Sequence, residues 1–191
     1  MRTLNLQGIF FYGGKMKEKV LIEKEKIDKM LTRMSHEILE KGDNVNEIIL
    51  VGIKTRGIFL AKRLKQKLKE IDSVNVGVET LDISFYRDDL EKKSLDPNVE
   101  EAKFKLDLNN KVVIIVDDVL YTGRTSRSAI DAIMSTSRPK AVRLAILVDR
   151  GHRELPLRAD YVGKNIPTSS KENIKVHLKE IDENDEVVII N

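Results

Sequence analysis

Residues 112–116 are the stretch that most restricts how this chain can fold. They read Val-Val-Ile-Ile-Val, five β-branched apolar residues without polar alternation. A strand with no alternation is buried on both faces, and such strands belong to parallel sheets covered by helices on either side. The sequence therefore predicts an α/β fold with a mostly parallel central sheet flanked by helices.

Two adjacent carboxylates, Asp117 and Asp118, follow that run directly. A short loop rich in hydroxyl groups and glycine comes next and leads into a segment of helical character, Arg127–Met134. Ligands of parallel sheets bind at the carboxyl ends of the strands, and a helix N-terminus favours a phosphate. The carboxylates can accept hydrogen bonds from sugar hydroxyls or hold a divalent cation. An acid pair alone is more often the cap of a helix, but the complete string predicts a sugar-phosphate site.

A second predicted strand, Glu47–Ile53, ends in a basic turn that precedes a helix to about Lys69. The turn reads Gly-Ile-Lys-Thr-Arg-Gly. It matches the start of a nucleoside-triphosphatase phosphate loop but lacks the Lys-Ser/Thr pair that must follow, which excludes that class. By itself the turn is equally well an anion-binding turn or an ordinary connection with exposed basic residues.

Together these motifs resemble those of type I phosphoribosyltransferases. Asp-Asp-Val-Leu-Tyr-Thr-Gly-Arg-Thr after a buried strand is similar to the signature with which that family binds 5-phosphoribosyl 1-pyrophosphate (PRPP). Three longer segments make the resemblance specific to one family. They are VDRGHRELPLRADYVGKNIPT, VGIKTRGIFLAKRL and LDISFYRDDL. These segments are similar to those of the PyrR family, whose members are both pyrimidine operon attenuation regulators and uracil phosphoribosyltransferases. The resemblance covers nearly everything after Met16. It implies the type I phosphoribosyltransferase fold, with a small hood and a flexible lid loop.

The resemblance implies that the chain converts uracil and PRPP to UMP and pyrophosphate with Mg²⁺. It gives Asp117 and Asp118 the ribose hydroxyls and an indirect hold on the metal, shared with PRPP oxygens. Arg87, at the hinge of the predicted lid, is expected to contact a phosphate; the alternative is a surface arginine paired with Asp88 or Asp89. The residues expected to bind PRPP and nucleotide are Lys54, Thr55, Arg56, Gly57, Tyr121, Thr122, Gly123, Arg124, Thr125 and Ser126. The uracil base is expected beside Arg150, Gly151, His152 and Ile166.

The same resemblance implies a second activity, binding of the pyrimidine operon leader mRNA under the control of UMP or UTP. The residues expected on the RNA surface are Thr32, Arg33, His36, Arg153, Arg158 and Lys164. By composition each of them is a solvated surface residue, so this expectation comes from the family pattern. The family also implies a homodimer or a higher homo-oligomer.

The remaining elements follow from periodicity and charge. Apolar residues at helical spacing predict an amphipathic helix over Glu25–Glu40. Ala141–Val148 is predicted as another buried strand, and two short strands near the C-terminus as a hairpin-like edge. The polar segment Tyr86–Leu106, with 5 Lys/Arg and 6 Asp/Glu residues, is predicted to be the lid that closes over PRPP.

Length and composition limit the remaining possibilities. The 191 residues suit one domain, predicted over residues 16–191, and the absence of Cys excludes disulfides and a Cys nucleophile. No apolar run approaches the roughly 20 residues of a bilayer span, so we expect a cytoplasmic protein without membrane contact. Met1–Lys15 is predicted to be an extension outside the fold, with Met16 the natural start. Removing it takes away two basic residues and no acid, which lowers the net charge from +3 to +1.

Three alternatives remain from the sequence. The chain could be a phosphoribosyltransferase for another base, such as hypoxanthine or orotate. It could keep the fold as a nucleotide-sensing RNA regulator with negligible catalysis. A third alternative, an α/β domain whose motifs are coincidental, requires several independent coincidences.

Overall fold

A computed structural model describes residues 18–83 and 102–190 of the chain. The predicted extension Met1–Lys15, Arg87 and most of the predicted lid lie outside the described residues. In chain order the elements are β1 (Glu18–Glu23), α1 (Lys24–Glu40), β2 (Ile48–Ile53), α2 (Arg56–Asp72), β3 (Gly77–Leu81), β4 (Val112–Leu120), α3 (Arg124–Thr136), β5 (Ala141–Asp149), β6 (Tyr161–Asn165), β7 (Asn173–His177) and β8 (Glu186–Ile190).

The central sheet has five strands in the order β3-β2-β4-β5-β6, and all four pairings are parallel. The predicted α/β architecture is thereby confirmed. The chain leaves β2 towards β3 on one side and then crosses to β4 on the other side. The strand order therefore reverses between β2 and β4, which is where doubly wound sheets bind their ligands.

Strand β4 shows why its apolar run has no alternation. Val112, Ile114 and Val116 lie in the core that contains α1 and α2, while Val113 and Ile115 lie in the core that contains α3. All five side chains are at most 1% exposed. Helices therefore cover both faces of the sheet, and each face needs an apolar side chain at every second position.

A smaller antiparallel sheet, β1-β8-β7, forms the hood, which we define as residues 18–23 and 173–190. Ile174, Val176 and Val187 of the hood join the core that contains α1 and α2. The predicted C-terminal hairpin is confirmed, and the N-terminal strand pairs with it. Within the described ranges, no helix has both the length and the apolar character needed to cross a bilayer.

Some elements differ from the prediction, and two of the differences affect the sheet. Strand β4 continues through Asp117 and Asp118 to Leu120, because residues 117, 119 and 120 still pair with β5. Strand β6 was not predicted at all. Its sequence, Tyr-Val-Gly-Lys-Asn, is short and partly polar, and it becomes a strand because it pairs with β5 at the sheet edge.

Candidate functional site

Two of the predicted anion-binding turns lie side by side. Strands β2 and β4 are hydrogen-bonded neighbours, and Gly52 of β2 is opposite Val116 of β4. The basic turn after β2 therefore comes out beside the acid pair in β4. Because both turns leave the sheet at its carboxyl edge, at the point where the strand order reverses, they form one crevice.

Glycine is needed where the two turns meet. A Cβ atom at Gly57 would lie 2.3 Å from the carbonyl oxygen of Val116, and a Cβ atom at Gly52 would lie 2.5 Å from the Cα atom of Ile58. No side chain fits at such distances, so the basic turn packs directly on the backbone that carries Asp117. The peptide bond between Lys54 and Thr55 in this turn is cis.

The acid pair is built into the end of β4. Asp117 is 7% exposed, and one of its carboxylate oxygens accepts a hydrogen bond from the backbone N–H of Asp118 at 2.9 Å. The Asp118 carboxylate accepts in the same way from the N–H of Val119 at 2.9 Å. Burial raises the pKa of Asp118 above its ordinary value, while these hydrogen bonds and the positive charge of Arg56 oppose that rise.

The hydroxyl-rich loop forms the turn into α3. Gly123 has a φ of 93° and precedes the helix, so Arg124, Thr125 and Ser126 occupy its first turn. Their backbone N–H groups have no acceptor within the helix and lie at the positive end of the helix dipole. Residues 119–126 and Glu154 line a cleft of about 420 Å³ here. These features suit a phosphate group.

The basic residues of the first turn are paired with carboxylates. Lys54 contacts Asp82 at 3.0 Å, and both side chains are well exposed. Arg56 contacts Asp182 of the hood through one terminal nitrogen, at 3.1 and 3.0 Å from the two carboxylate oxygens. The structure thus places the two predicted turns against each other at the carboxyl edge of the sheet.

Comparisons with known proteins agree with this geometry. The sequence model of the phosphoribosyl transferase domain matches residues 21–181. A protein from Fusobacterium nucleatum named Bifunctional protein PyrR is 54% identical over 175 residues, which cover 92% of this chain and 99% of the relative. A protein of the same name from Staphylococcus saprophyticus is 52% identical, over 91% of this chain and 99% of the relative. The chain belongs to the PyrR family of phosphoribosyltransferases.

Solved structures show that this PyrR-family chain shares its fold with other phosphoribosyltransferases. A hypoxanthine phosphoribosyltransferase from Staphylococcus aureus gives a TM-score of 0.70 at 21% identity, with 92% of each chain covered. The hypoxanthine enzyme from Trypanosoma cruzi, in complex with the product IMP, gives 0.67 at 19% identity, with 92% and 91% covered. The predicted type I phosphoribosyltransferase fold is confirmed.

The predicted base region of the PyrR-family chain is held together by Arg150. This side chain is 4% exposed, and its guanidinium lies 4.1 Å from the ring centroid of Tyr121. It also donates to the side chains of Thr168 at 3.1 Å and Asn173 at 3.0 Å. Arg150 therefore joins the segment after β5 to Thr168 and to the first residue of β7, and most of its guanidinium donors are used in these contacts.

The other predicted base-region residues surround this anchor. Gly151, with a φ of 81°, donates its N–H to Asp149 at 2.9 Å. The Nε2 atom of His152 lies 2.5 Å from the carbonyl oxygen of Thr168. The N–H of Ile166 donates to the carbonyl of Asp149 at 2.8 Å. Backbone groups and small turns thus define this part of the site.

Arg153 is directed towards the hydroxyl-rich loop before α3 (residues 121–126), which we call the phosphate loop after its expected ligand. Its guanidinium donates to the carbonyl oxygens of Tyr121 at 2.7 Å and Leu157 at 3.1 Å, and it forms an ion pair with Asp149. Through these contacts, the Arg153 side chain stabilises its own loop against the neighbouring phosphate loop. Its expected RNA contact stays a prediction.

Other predicted RNA residues come together on one side of the molecule. Helix α1 packs beside β6, and Arg33 donates to the carbonyl oxygens of Val162 and Gly163 at 2.8 and 2.7 Å. His36 of α1 and Lys164 of β6 are exposed. Arg158, also exposed, lies in the loop before β6. Thr32 is half-buried, and its hydroxyl donates to the carbonyl of Asp28 at 3.0 Å.

Two acidic residues of the site were missed by the sequence reasoning. Glu154 lines the phosphate cleft, and Asp182 holds Arg56. Glu154 lies among the basic residues Arg150, Arg153 and Arg158, and Asp182 lies 126 residues after its partner. Neither belongs to a motif with a phosphate-binding mechanism, so no local signal could have found them.

Proposed function

We propose that this chain transfers the phosphoribosyl group of PRPP to uracil, which yields UMP and pyrophosphate, and that it also binds the pyrimidine operon leader mRNA in response to uridine nucleotides. The observation that carries the enzymatic part is the crevice in which a basic turn from β2 and an acid pair with a phosphate loop from β4 meet. Such a crevice fits a ligand with a sugar between two phosphate groups, and PRPP is such a ligand.

Each part of the crevice has a place in this reaction. The first turn of α3 binds the 5′-phosphate, and the acid pair orients the ribose hydroxyls. Lys54 and Arg56 lie on the side where the pyrophosphate leaves, and their charge stabilises the negative charge that the leaving group gains. The acid pair faces the ribose, where its negative charge stabilises the oxocarbenium character that develops at C1.

This chemistry needs no nucleophilic side chain. The protein accelerates the reaction by holding the base and C1 in line while the C1–O bond loosens. Arg87, outside the described residues, remains our expected additional phosphate contact. The lid is expected to keep water away from the reacting carbon.

Mg²⁺ fits this site only together with its substrate. Among residues 18–83 and 102–190, no group of three or more His, Cys, Asp or Glu side chains could hold a metal ion. Asp117 and Asp118 would hold Mg²⁺ jointly with PRPP oxygens, and this ion keeps several water ligands readily. When bound, Mg²⁺ supplies positive charge to the pyrophosphate oxygens.

We propose that uracil is recognised by the backbone groups of residues 150–152 and near Ile166. A pyrimidine ring offers carbonyl and N–H groups at its edge, and the turns fixed by Arg150 hold matching backbone groups still. Tyr121 lies close to this region, and its exposed aromatic ring stands between the proposed uracil site and the phosphate loop.

The regulatory part of the proposal is supported by the surface formed by α1 and β6. We define this surface as Thr32, Arg33, His36 and Lys164, with Arg158 in the loop before β6. Basic side chains there would contact phosphates, while hydroxyl and imidazole groups would reach unstacked loop bases. We also propose a homodimer or larger homo-oligomer, whose symmetry would join two such surfaces. Light scattering coupled to gel filtration checks the assembly.

One pair of assays tests the proposed function. The purified chain is incubated with PRPP, Mg²⁺ and a panel of uracil, hypoxanthine and orotate, and the products are separated by chromatography. UMP should form, and no other nucleotide should form at a comparable rate. Leader RNA binding is then measured by gel shift at a stated salt concentration, with and without UMP.

The outcomes separate the alternatives. Formation of IMP or orotidine monophosphate as the main product would show a phosphoribosyltransferase for another base. UMP-dependent RNA binding without turnover would show a regulator that has lost catalysis. Equal RNA affinity with and without UMP would leave the two activities uncoupled.

A further inference from the structure

The hood places a carboxylate at the edge of the active-site crevice. The connection between β7 and β8 begins with a tight turn at Leu178, which is 0% exposed. The N–H groups of Ile181 and Asp182 donate to the carbonyl oxygen of Leu178 at 2.9 and 2.7 Å. The Asp182 carboxylate accepts in return from the N–H of Leu178 at 3.0 Å. The turn is therefore closed from both sides, and its carboxylate is fixed.

This carboxylate reaches Arg56 in the basic turn. The ion pair is 23% exposed on each side chain, so it is sheltered from bulk water. Burial by itself would raise the pKa of Asp182, but hydrogen bonds from Leu178 and Arg56 outweigh burial and lower it. Asp182 is therefore ionised at neutral pH and keeps a full charge against Arg56.

The way in which Arg56 is held leaves part of its guanidinium unused. One terminal nitrogen makes both contacts with Asp182. The Nε atom of Arg56 is buried without a hydrogen-bond partner among the described residues. A buried donor without an acceptor is unfavourable, and a guanidinium has five N–H donors arranged to bind carboxylate or phosphate. Arg56 is thus fixed in place while donors remain for an anionic ligand.

We propose that Asp182 is a positioning residue for pyrophosphate: it holds the Arg56 guanidinium at the place where the leaving group of PRPP binds. This inference rests on the proposed function in one respect, the role of Arg56 in binding the pyrophosphate group. Asp182 itself touches no substrate. Fixing the arginine in advance lowers the entropy cost of ligand binding, which makes pyrophosphate binding tighter.

The test compares Asp182→Asn with a matched control in the same hood. Asp185 also joins the hood to α2, through an ion pair with Arg63 at 2.6 Å, two turns along the helix from Arg56. Asp185→Asn therefore removes the same kind of contact without touching Arg56. Steady-state kinetics give kcat and the KM for PRPP, calorimetry gives the Kd of pyrophosphate, and thermal unfolding reports the stability of each variant.

Asp182→Asn should raise the KM for PRPP and the Kd of pyrophosphate by roughly tenfold. The Kd of UMP should change by less than about twofold, because UMP carries no pyrophosphate group for Arg56 to bind. The kcat at saturating PRPP should fall as well, because Arg56 also stabilises the charge that the leaving group gains. Asp185→Asn should lower the unfolding temperature and leave the KM for PRPP unchanged. In an Arg56→Gln background, Asp182→Asn should have no further effect on pyrophosphate binding.

Other results would overturn the inference. Equal increases in KM for both hood variants would show that Asp182 only stabilises the hood. Tighter pyrophosphate binding by Asp182→Asn would show that Asp182 competes with the ligand. If the wild type makes UMP and Asp182→Asn leaves the KM unchanged, the inference fails and the proposed function stands. If the wild type makes no UMP but its pyrophosphate affinity depends on Asp182, the proposed function fails and the inference stands.

Discussion

The carboxylate of Glu154 lies against the guanidinium of Arg124 inside the phosphate cleft, with 2.8 Å between Nε of Arg124 and Oε2 of Glu154. The backbone N–H of Glu154 also donates to the carbonyl oxygen of Thr122 at 3.0 Å. The loop after β5 therefore contacts the phosphate loop through both backbone and side chain. A phosphate in this cleft must bind beside a carboxylate or displace it from Arg124.

Glu154→Gln should therefore tighten UMP binding. The variant removes the negative charge that competes with the 5′-phosphate, and we expect the Kd of UMP to fall by roughly threefold to tenfold at low salt. Calorimetry measures this, and the difference should shrink as salt is added, because the pair is half exposed and easily screened. Asp131→Asn is the control, because Asp131 pairs with Arg127 on the same helix at 3.5 Å. Weaker UMP binding by Glu154→Gln would show that Glu154 orients Arg124 for the ligand.

Asp118→Asn should separate activity from stability. Loss of one ribose-facing carboxylate should lower kcat by about a hundredfold or more, since preorganised charges near the reacting carbon make contributions of that size. Initial rates of UMP formation measure the effect. A rate within a few-fold of the wild type would remove Asp118 from the mechanism.

The same variant should unfold at a higher temperature than the wild type at neutral pH. Burial raises the pKa of Asp118, so the folded state holds this proton more tightly than the unfolded state. Above its raised pKa, the ionised Asp118 carboxyl therefore lowers the free energy of unfolding. This loss becomes smaller as the pH falls towards the ordinary pKa of an aspartate, about 3.9. Thermal unfolding at several pH values should show the advantage of the amide narrowing at acid pH. A lower unfolding temperature at neutral pH would show that the ionised carboxylate is stabilised overall.

Lys164→Gln should weaken leader RNA binding without changing catalysis. Lys164 is exposed on β6 beside α1, so its ammonium group is available to a phosphate. The slope of log K against log salt should fall by roughly 0.7–0.9, the change for one lost phosphate contact. Arg127→Gln, which removes one positive charge from α3 on the other face of the sheet, should leave RNA binding unchanged. Equal losses of RNA affinity in the two variants would show that the RNA responds to the overall charge of the protein and does not bind the α1–β6 surface specifically.

Arg153→Gln and Arg158→Gln should behave differently. Arg153 supports the carbonyl oxygen of Tyr121 beside the phosphate loop, whereas Arg158 is exposed. We expect Arg153→Gln to raise the KM for PRPP severalfold and to weaken RNA binding as well. Arg158→Gln should weaken RNA binding and leave the KM for PRPP unchanged. Kinetics and gel shifts on the same preparations distinguish the two, and an unchanged KM in Arg153→Gln would show that the loop keeps its shape without this arginine.

Features that depend on residues adjacent in the sequence were predictable from the sequence alone. The apolar run of β4 specifies a strand buried on both faces, because a fully apolar segment of that length is stable only between two covering layers. The loop at Gly123 and the first turn of α3 form from consecutive residues, so their place at the end of β4 was predictable, and the phosphate site expected there stays a prediction. Strands β2, β4 and β5 of the main sheet and the C-terminal hairpin were predicted for the same kind of reason.

Only the tertiary structure decided the contacts between residues that are far apart in the chain. Strand β6 exists because β5 offers an unpaired edge, Arg153 turns inward because carbonyl oxygens of the phosphate loop lie within its reach, and Asp182 meets Arg56 because the hood folds over α2. The type of a charged residue gives its ability to pair, but the partner is set by where the fold places it. A basic side chain in the sequence is therefore compatible with binding RNA, a phosphate or a carboxylate of the same chain, and packing selects among them.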